Sequence, residues 1–257
     1  MSSIKTGLLA KDESAPVTVY NENSRSPFLL VADHAGRLIP RTLGNLGVSD
    51  SDLARHIGWD IGIAAVSQRL ADRLDATFIR QNYSRLVIDC NRPPGVPSSI
   101  PEISELTQVP GNIGLSNADI TARRSEIFQP YHYSIKAELD RRQNRGAPVA
   151  LIAMHSFTPV YKGVTRPWHA GVLYNRDHRL AQRLRVLLQA EAGMVVGDNE
   201  PYSVSDQTDY TIPVHGELRG LPHIGIEIRH DLIAGENGQE NWAALLARLL
   251  PQSYREL

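Results

Sequence analysis

Residues 149–156 read Val-Ala-Leu-Ile-Ala-Met-His-Ser, six apolar positions that run straight into an imidazole and a hydroxyl. A run this short and apolar, with no alternation, reads as a strand buried on both faces. Similar runs recur along the chain. Pro27 to Ala32 (PFLLVA) ends at Asp33-His34-Ala35-Gly36, and Ala76 to Ile79 and Leu86 to Asp89 also read as strands. So do Gly171 to Tyr174, Val195-Val196 and Ile224 to Ile228 (IGIEI). Between them lie segments of helical spacing. Leu53 to Leu74 repeats Ile57, Ile61, Ala64, Ala65, Leu70 and Leu74 at that period. A long helix starts at a Ser116 or Asn117 cap and should break or kink at Pro130. Two more run from about Asp177 to Glu191 and from Gln239 to Leu250. Apolar strands separated by helices predict an α/β fold, its largely parallel sheet covered on both faces.

Composition narrows the function. The 257 residues carry 27 Lys+Arg against 28 Asp+Glu, so the formal charge of −1 gives no reason to expect a polyanion, and no basic run suggests nucleic acid. Cys90 is the single cysteine, which rules out an intramolecular disulfide and fits a reducing compartment. No uncharged run reaches the roughly 18 residues of a membrane span, and the opening residues lack an apolar stretch of signal-peptide length. A soluble, cytoplasmic protein of one domain over 1–257 is expected, with 1–25 as a peripheral segment. The long loops at 91–110 and 199–222 follow strand-like runs and are placed to cover a site.

In open α/β sheets ligands bind beyond the carboxyl ends of the strands. The polar groups found there are Asp33-His34, Asn91-Arg92, His155-Ser156 and Glu227, the last inside IGIEI. Two imidazoles and a carboxylate form a usual donor set for a catalytic zinc. His34 and His155 are the natural imidazoles. Asp60, a carboxylate in an otherwise apolar stretch, is the candidate third ligand, because a metal would remove the cost of burying it. Glu227 is either the partner of Arg229 or another arginine, or a general base beside the metal. Arg92 with the Asn91 amide is shaped to grip a carboxylate, and Arg85 could assist. His215 and His223 bracket the approach to the last strand. Cys90, in a buried apolar run, is a poor nucleophile, and neither a GxSxG elbow nor a nucleotide-binding glycine motif occurs.

Taken in order, Asp33-His34-Ala35-Gly36, Trp59-Asp60, Ser84-Arg85, Asp89-Cys90-Asn91-Arg92-Pro93, Met154-His155-Ser156-Phe157-Thr158-Pro159, Asn199-Glu200-Pro201-Tyr202 and Ile226-Glu227-Ile228-Arg229 resemble the N-formylglutamate amidohydrolase family. The likeness runs from about Pro27 to Leu250. It implies a three-layer α/β/α sandwich with a mixed, mostly parallel sheet, similar to zinc carboxypeptidases and aspartoacylases. It further implies zinc on His34 and His155, a carboxylate grip by Asn91 and Arg92, and water activation by Glu227. The carboxypeptidase pattern has a Glu three residues after the first His, where this chain has Arg37; Asp60 is the substitute ligand and His56 the reserve. The expected activity is hydrolysis of a small N-acyl amino acid such as N-formyl-L-glutamate. The alternatives are another N-acyl amino acid or short peptide, or a non-catalytic amino-acid-binding protein of the same fold. Manganese, iron or cobalt would also suit such donors. The oligomeric state is not readable from the chain.

Overall fold

Strands and helices alternate as the apolar pattern predicts. The computed structural model describes residues 7–255 and 257. The strands there are β1 (Val17–Tyr20), β2 (Phe28–Ala32), β3 (Thr77–Gln81), β4 (Ile103–Ser104), β5 (Thr107–Gln108), β6 (Ala150–Phe157), β7 (Val160–Tyr161), β8 (Val164–Thr165), β9 (Ala170–Leu173), β10 (Val196–Asp198) and β11 (His223–Arg229). The α-helices are α1 (Asp50–Leu53), α2 (Ile63–Leu74), α3 (Asn117–Arg123), α4 (Gln129–Asn144), α5 (Arg179–Gln189) and α6 (Glu236–Arg255). Seven strands make one sheet in the order β1-β3-β2-β6-β11-β9-β10, and β4-β5 and β7-β8 are separate small hairpins. The sheet is mixed: β3, β2, β6 and β11 run parallel, while β1 on β3 and β9 on β11 are antiparallel.

Alternation along each strand divides the core in two. Leu30, Ile152, Met154, Ile224, Ile226 and Ile228 pack against Ile63, Val66 and Leu70 of α2, Leu184 of α5 and Leu246 of α6. Leu29, Val31, Leu151 and Ala153 face the other way, toward Tyr131, Ile135 and Leu139 of α4. Side chains of period two therefore place helices on both faces, the three-layer arrangement. Among the described residues no helix is long and apolar enough to cross a membrane.

Three expectations need correction. Leu86 to Asp89 is not a strand but a buried turn, in which Val87 N–H donates to the Ser84 carbonyl and Asp89 N–H to the Ser99 carbonyl. Cys90 accordingly sits in a buried turn and stays inert, its thiol pushed well up by burial. The helix read over 53–74 begins only at Ile63, because Gly62 at φ 80° interrupts it; Asp60 lies in the preceding loop. Pro130 does not break its helix. It sits in the first turn of α4, directly after a π-turn over Arg124–Phe128, where a missing N–H costs least. Ser116 is the cap of α3, in a reciprocal capping box with Asp119. Of the segment 1–25, expected to be peripheral, residues 1–6 lie outside the described ones and Val17–Tyr20 forms β1 at the edge of the sheet.

Candidate active site

Three neighbouring parallel strands each deliver one polar group to the same end of the sheet. His34 follows β2, His155 lies near the end of β6, and Glu227 lies near the end of β11 in register with His155. The parity of β11 points Ile224, Ile226 and Ile228 into the core under α2, α5 and α6, so Glu227 faces the other side, as His155 does. On its far side Glu227 pairs with Gly171 of β9. Only glycine fits there: a Cβ would lie 1.9 Å from the Glu200 carbonyl oxygen, which belongs to the loop roofing the site. These groups open onto a cavity of about 370 Å³, whose walls include His34, Asp60, His155, Glu227, Arg85, Asn91, Arg92, Tyr161 and Tyr202.

Asp60 is brought between the two histidines by its loop. Its N–H donates to the His34 carbonyl at 2.9 Å. Its Oδ2 lies 3.1 Å from His155 Nδ1 and 3.6 Å from His34 Nδ1. His34, Asp60 and His155 are all buried, and one ligand atom from each lies within 4.8 Å of the others. Donors about 2.0–2.1 Å from a tetrahedral zinc ion would be roughly 3.3 Å apart, which these spacings bracket. His34 Nδ1 is buried without a hydrogen-bond partner, so its lone pair remains available to a cation.

The opposite nitrogen of each imidazole meets a carboxylate. His34 Nε2 is 2.7 Å from Asp89 Oδ1, and His155 Nε2 is 3.2 Å from Asp33 Oδ2. At His34, donation from Nε2–H to Asp89 fixes the tautomer that leaves Nδ1 free for a cation, while His155 Nδ1 faces Asp60. Asp89 is itself held by Arg85 Nη2–H at 2.7 Å and by the Asn91 N–H at 2.9 Å, and Asp33 by the Thr211 hydroxyl at 2.7 Å. Burial pushes all three aspartates up. The hydrogen bond and charge of His155 outweigh it at Asp33, giving about 2, while His34 and His155 hold Asp60 far down and Arg85 and His34 hold Asp89 well down. Burial acts to lower both imidazoles, yet the surrounding carboxylates raise them, His155 well above the ordinary range. Three carboxylates against one guanidinium leave two negative charges around two imidazoles, a setting that a divalent cation neutralises.

Glu227 differs from the aspartates. Burial is the largest influence on it; the His155 and His34 charges pull down, Asp60 pushes up, and the result is about 7. Its Oε2 has no hydrogen-bond partner. Arg229 is not its mate, since that guanidinium pairs with Asp231 at 2.8 Å.

The remaining expected residues take mixed positions. Arg85 bridges Asp89 and, at 3.5 Å, Asp60. Asn91 has its amide engaged: Oδ1 accepts from the Tyr210 and Thr211 N–H groups, and Nδ2 donates to Asp209. Arg92 donates to the Thr208 carbonyl at 2.6 Å and stands 3.8 Å from Asp209. His56 lines the cavity, but its Nε2 is turned toward Glu105 at 3.4 Å, apart from the three grouped ligands. His215 pairs with His132 behind the site, and His223 bonds to the Leu221 carbonyl. Sequence reasoning passed over the buried carboxylates Asp33 and Asp89 as site residues. Their signal was a charge placed inside or directly after an apolar run.

The family model for N-formylglutamate amidohydrolase matches residues 26–234. A solved structure of gene product Atu2144 from Agrobacterium tumefaciens is 37% identical, covers 97% of this chain and 98% of its own, and superposes with a TM-score of 0.94. An N-formylglutamate amidohydrolase from Ralstonia eutropha JMP134 shares the fold at 19% identity and a TM-score of 0.68, over 95% of this chain and 100% of its own. No protein of curated function matches the chain significantly. The extent of the family match settles the assignment: this chain belongs to the N-formylglutamate amidohydrolase family, hydrolases of carbon–nitrogen amide bonds.

Proposed function

We propose that this chain hydrolyses a small N-formyl amino acid, with N-formyl-L-glutamate as the model substrate, to formate and the free amino acid. His34, Asp60 and His155 would hold a divalent metal, zinc being the expected one. The observation that carries this reading is one cavity holding both a two-histidine, one-carboxylate donor set and a buried carboxyl poised near neutrality. A divalent ion at these donors would supply Lewis acidity to the amide carbonyl and make water more acidic.

Glu227 moves the proton. As a carboxylate it takes one from the attacking water at Oε2, the oxygen with no other partner. As a carboxylic acid it returns that proton to the departing nitrogen. A group that titrates at about 7 is available in both forms near neutral pH. Asp89 and Asp33 keep the two imidazoles in the tautomer that presents Nδ1. Arg92 is assigned the α-carboxylate of the substrate, with the Asn91 amide bracing the loop that carries Asp209.

The test is metal analysis together with amine release from N-formyl-L-glutamate. Wild-type protein should contain about one metal per chain, and His34→Ala and His155→Ala should each lose most of it while staying folded. Wild-type metal content in both variants would remove the ligand assignment. Absence of amine release from every N-formyl amino acid by metal-replete protein would remove the reaction.

A further inference from the structure

Arg85 and Arg92 line the cavity, Arg166 stands behind the Tyr161 and Tyr202 part of its wall, and the three charges are engaged differently. Arg85 is bridged to Asp89 and Asp60. Arg92 faces Asp209 and donates to a backbone carbonyl. Arg166, at the end of the β7-β8 hairpin, is the most buried of the three at 8% exposure, and among the described residues it forms no ion pair with a carboxylate. Instead its guanidinium stands near aromatic rings, 4.6 Å from the Tyr161 centroid, 4.7 Å from the Tyr202 centroid and 6.0 Å from that of Phe157. Nη1 donates to the Tyr202 hydroxyl at 2.9 Å. Both tyrosines line the cavity.

Aromatic faces offset part of the cost of burying a cation but do not neutralise its charge. The Tyr202 hydroxyl engages one of the five N–H donors of the guanidinium, and the remaining donors of the planar fork suit a carboxylate. A buried cation without a counter-ion, clamped by two residues of the cavity wall, is built to receive an anion from that cavity.

We infer that Arg166 is a specificity-determining residue that pairs, through its guanidinium edge, with the side-chain carboxylate of an acidic N-acyl amino acid. The inference rests on the proposed hydrolysis for the identity of the substrate. It divides the work between two arginines: Arg92 takes the α-carboxylate common to every amino acid, and Arg166 takes the second carboxylate that only acidic ones carry. Tyr161 and Tyr202 act as positioning residues, holding the guanidinium plane.

Calorimetric titration of metal-loaded protein with L-glutamate and with L-glutamine tests this without relying on turnover. The two ligands differ by one charge. Wild type should bind glutamate about 10- to 100-fold more tightly. Arg166→Gln should abolish that preference while leaving glutamine affinity within about threefold. If Arg166→Gln does not fold, Arg166→Lys, which keeps a charge but not the fork, is read instead and should lose at least part of the preference. A variant that keeps the full preference, or a wild type that shows none, overturns the assignment. Equal weakening of both ligands with a lowered melting temperature would mark Arg166 as only a brace between the tyrosines. Parallel kinetics with N-formyl-L-glutamate and N-formyl-L-glutamine separate the two readings: loss of all hydrolysis in wild type defeats the reaction, whereas the binding preference decides the anchor by itself.

Discussion

Glu227 Oε2 and His34 Nδ1 are both buried without a partner, and both belong to the same cavity. A buried polar atom left unpaired costs on the order of 1–3 kcal/mol, so two in one place indicate groups kept free for a bound species. Asp89 and Asn91 are saturated by contrast. Asp89 receives two N–H groups and faces an imidazole, and the Asn91 amide makes three hydrogen bonds. The residue-scale prediction follows from that difference. Glu227→Gln preserves shape and hydrogen bonding but cannot accept a proton, so kcat should fall by about 10²–10⁴. Metal content should remain near that of wild type, because Glu227 is not among the three grouped ligands. Steady-state kinetics with metal analysis on the same sample checks it, and near-normal turnover would take Glu227 out of the reaction.

At the scale of elements, the site depends on how closely loops lie against strand ends. Gly36, two residues after His34, passes so near the backbone of Asn82 that a Cβ would lie 2.1 Å from its carbonyl carbon. The approach is fastened by Leu38 N–H to the Asn82 carbonyl and Ser84 N–H to the Leu38 carbonyl. Gly36→Ala must push the loop away and drag His34 with it. It should cost about 1–3 kcal/mol in a urea melt, the usual range for overpacking, and weaken metal binding in a titration of the same variant. The elements that hold His34, His155 and Glu227 were legible because β2, β6 and β11 are central strands buried on both faces, and such strands write themselves as apolar runs. The same signal misled at Leu86 to Asp89, which is equally buried and apolar but turns instead of pairing. Edge strand β1 (VTVY) is only half-buried and left no comparable run. Asp60 is the buried carboxylate that its apolar surroundings predict, but on a loop and not on a helix, since helical spacing continued through Gly58 and Gly62 where the backbone does not. Arg166 left no trace in the sequence, because its aromatic partners come from five residues before it in one hairpin and from a distant loop.

For the molecule as a whole, acid should act through buried imidazoles that lie outside the metal trio. His132 of α4 donates from Nε2 to the Cys90 carbonyl at 2.8 Å, so its Nδ1 must accept, and the atom 3.0 Å away is His215 Nε2. That makes both rings neutral and leaves His215 Nδ1 without a partner. Burial is the main cause in each case: it lowers His132 to about 4 and His215 to about 3, and the neighbouring His132 lowers His215 further. In the unfolded chain both rings take protons near pH 6.5. Between pH 6.5 and 4 these two rings hold more protons in the unfolded state, and together they outweigh Glu227, whose raised value works the other way, so stability falls as pH falls. The shift at His132 alone corresponds to roughly 3 kcal/mol by pH 4. Urea midpoints measured from pH 7.5 down to 4.5 should thus decline below pH 6.5, before the depressed aspartates of the site begin to titrate. Replacing one ring, as in His215→Asn, should flatten the slope between pH 6.5 and 4.5 even where it lowers stability at pH 7.5. An unchanged slope in that variant would mean that the pair does not carry the acid sensitivity.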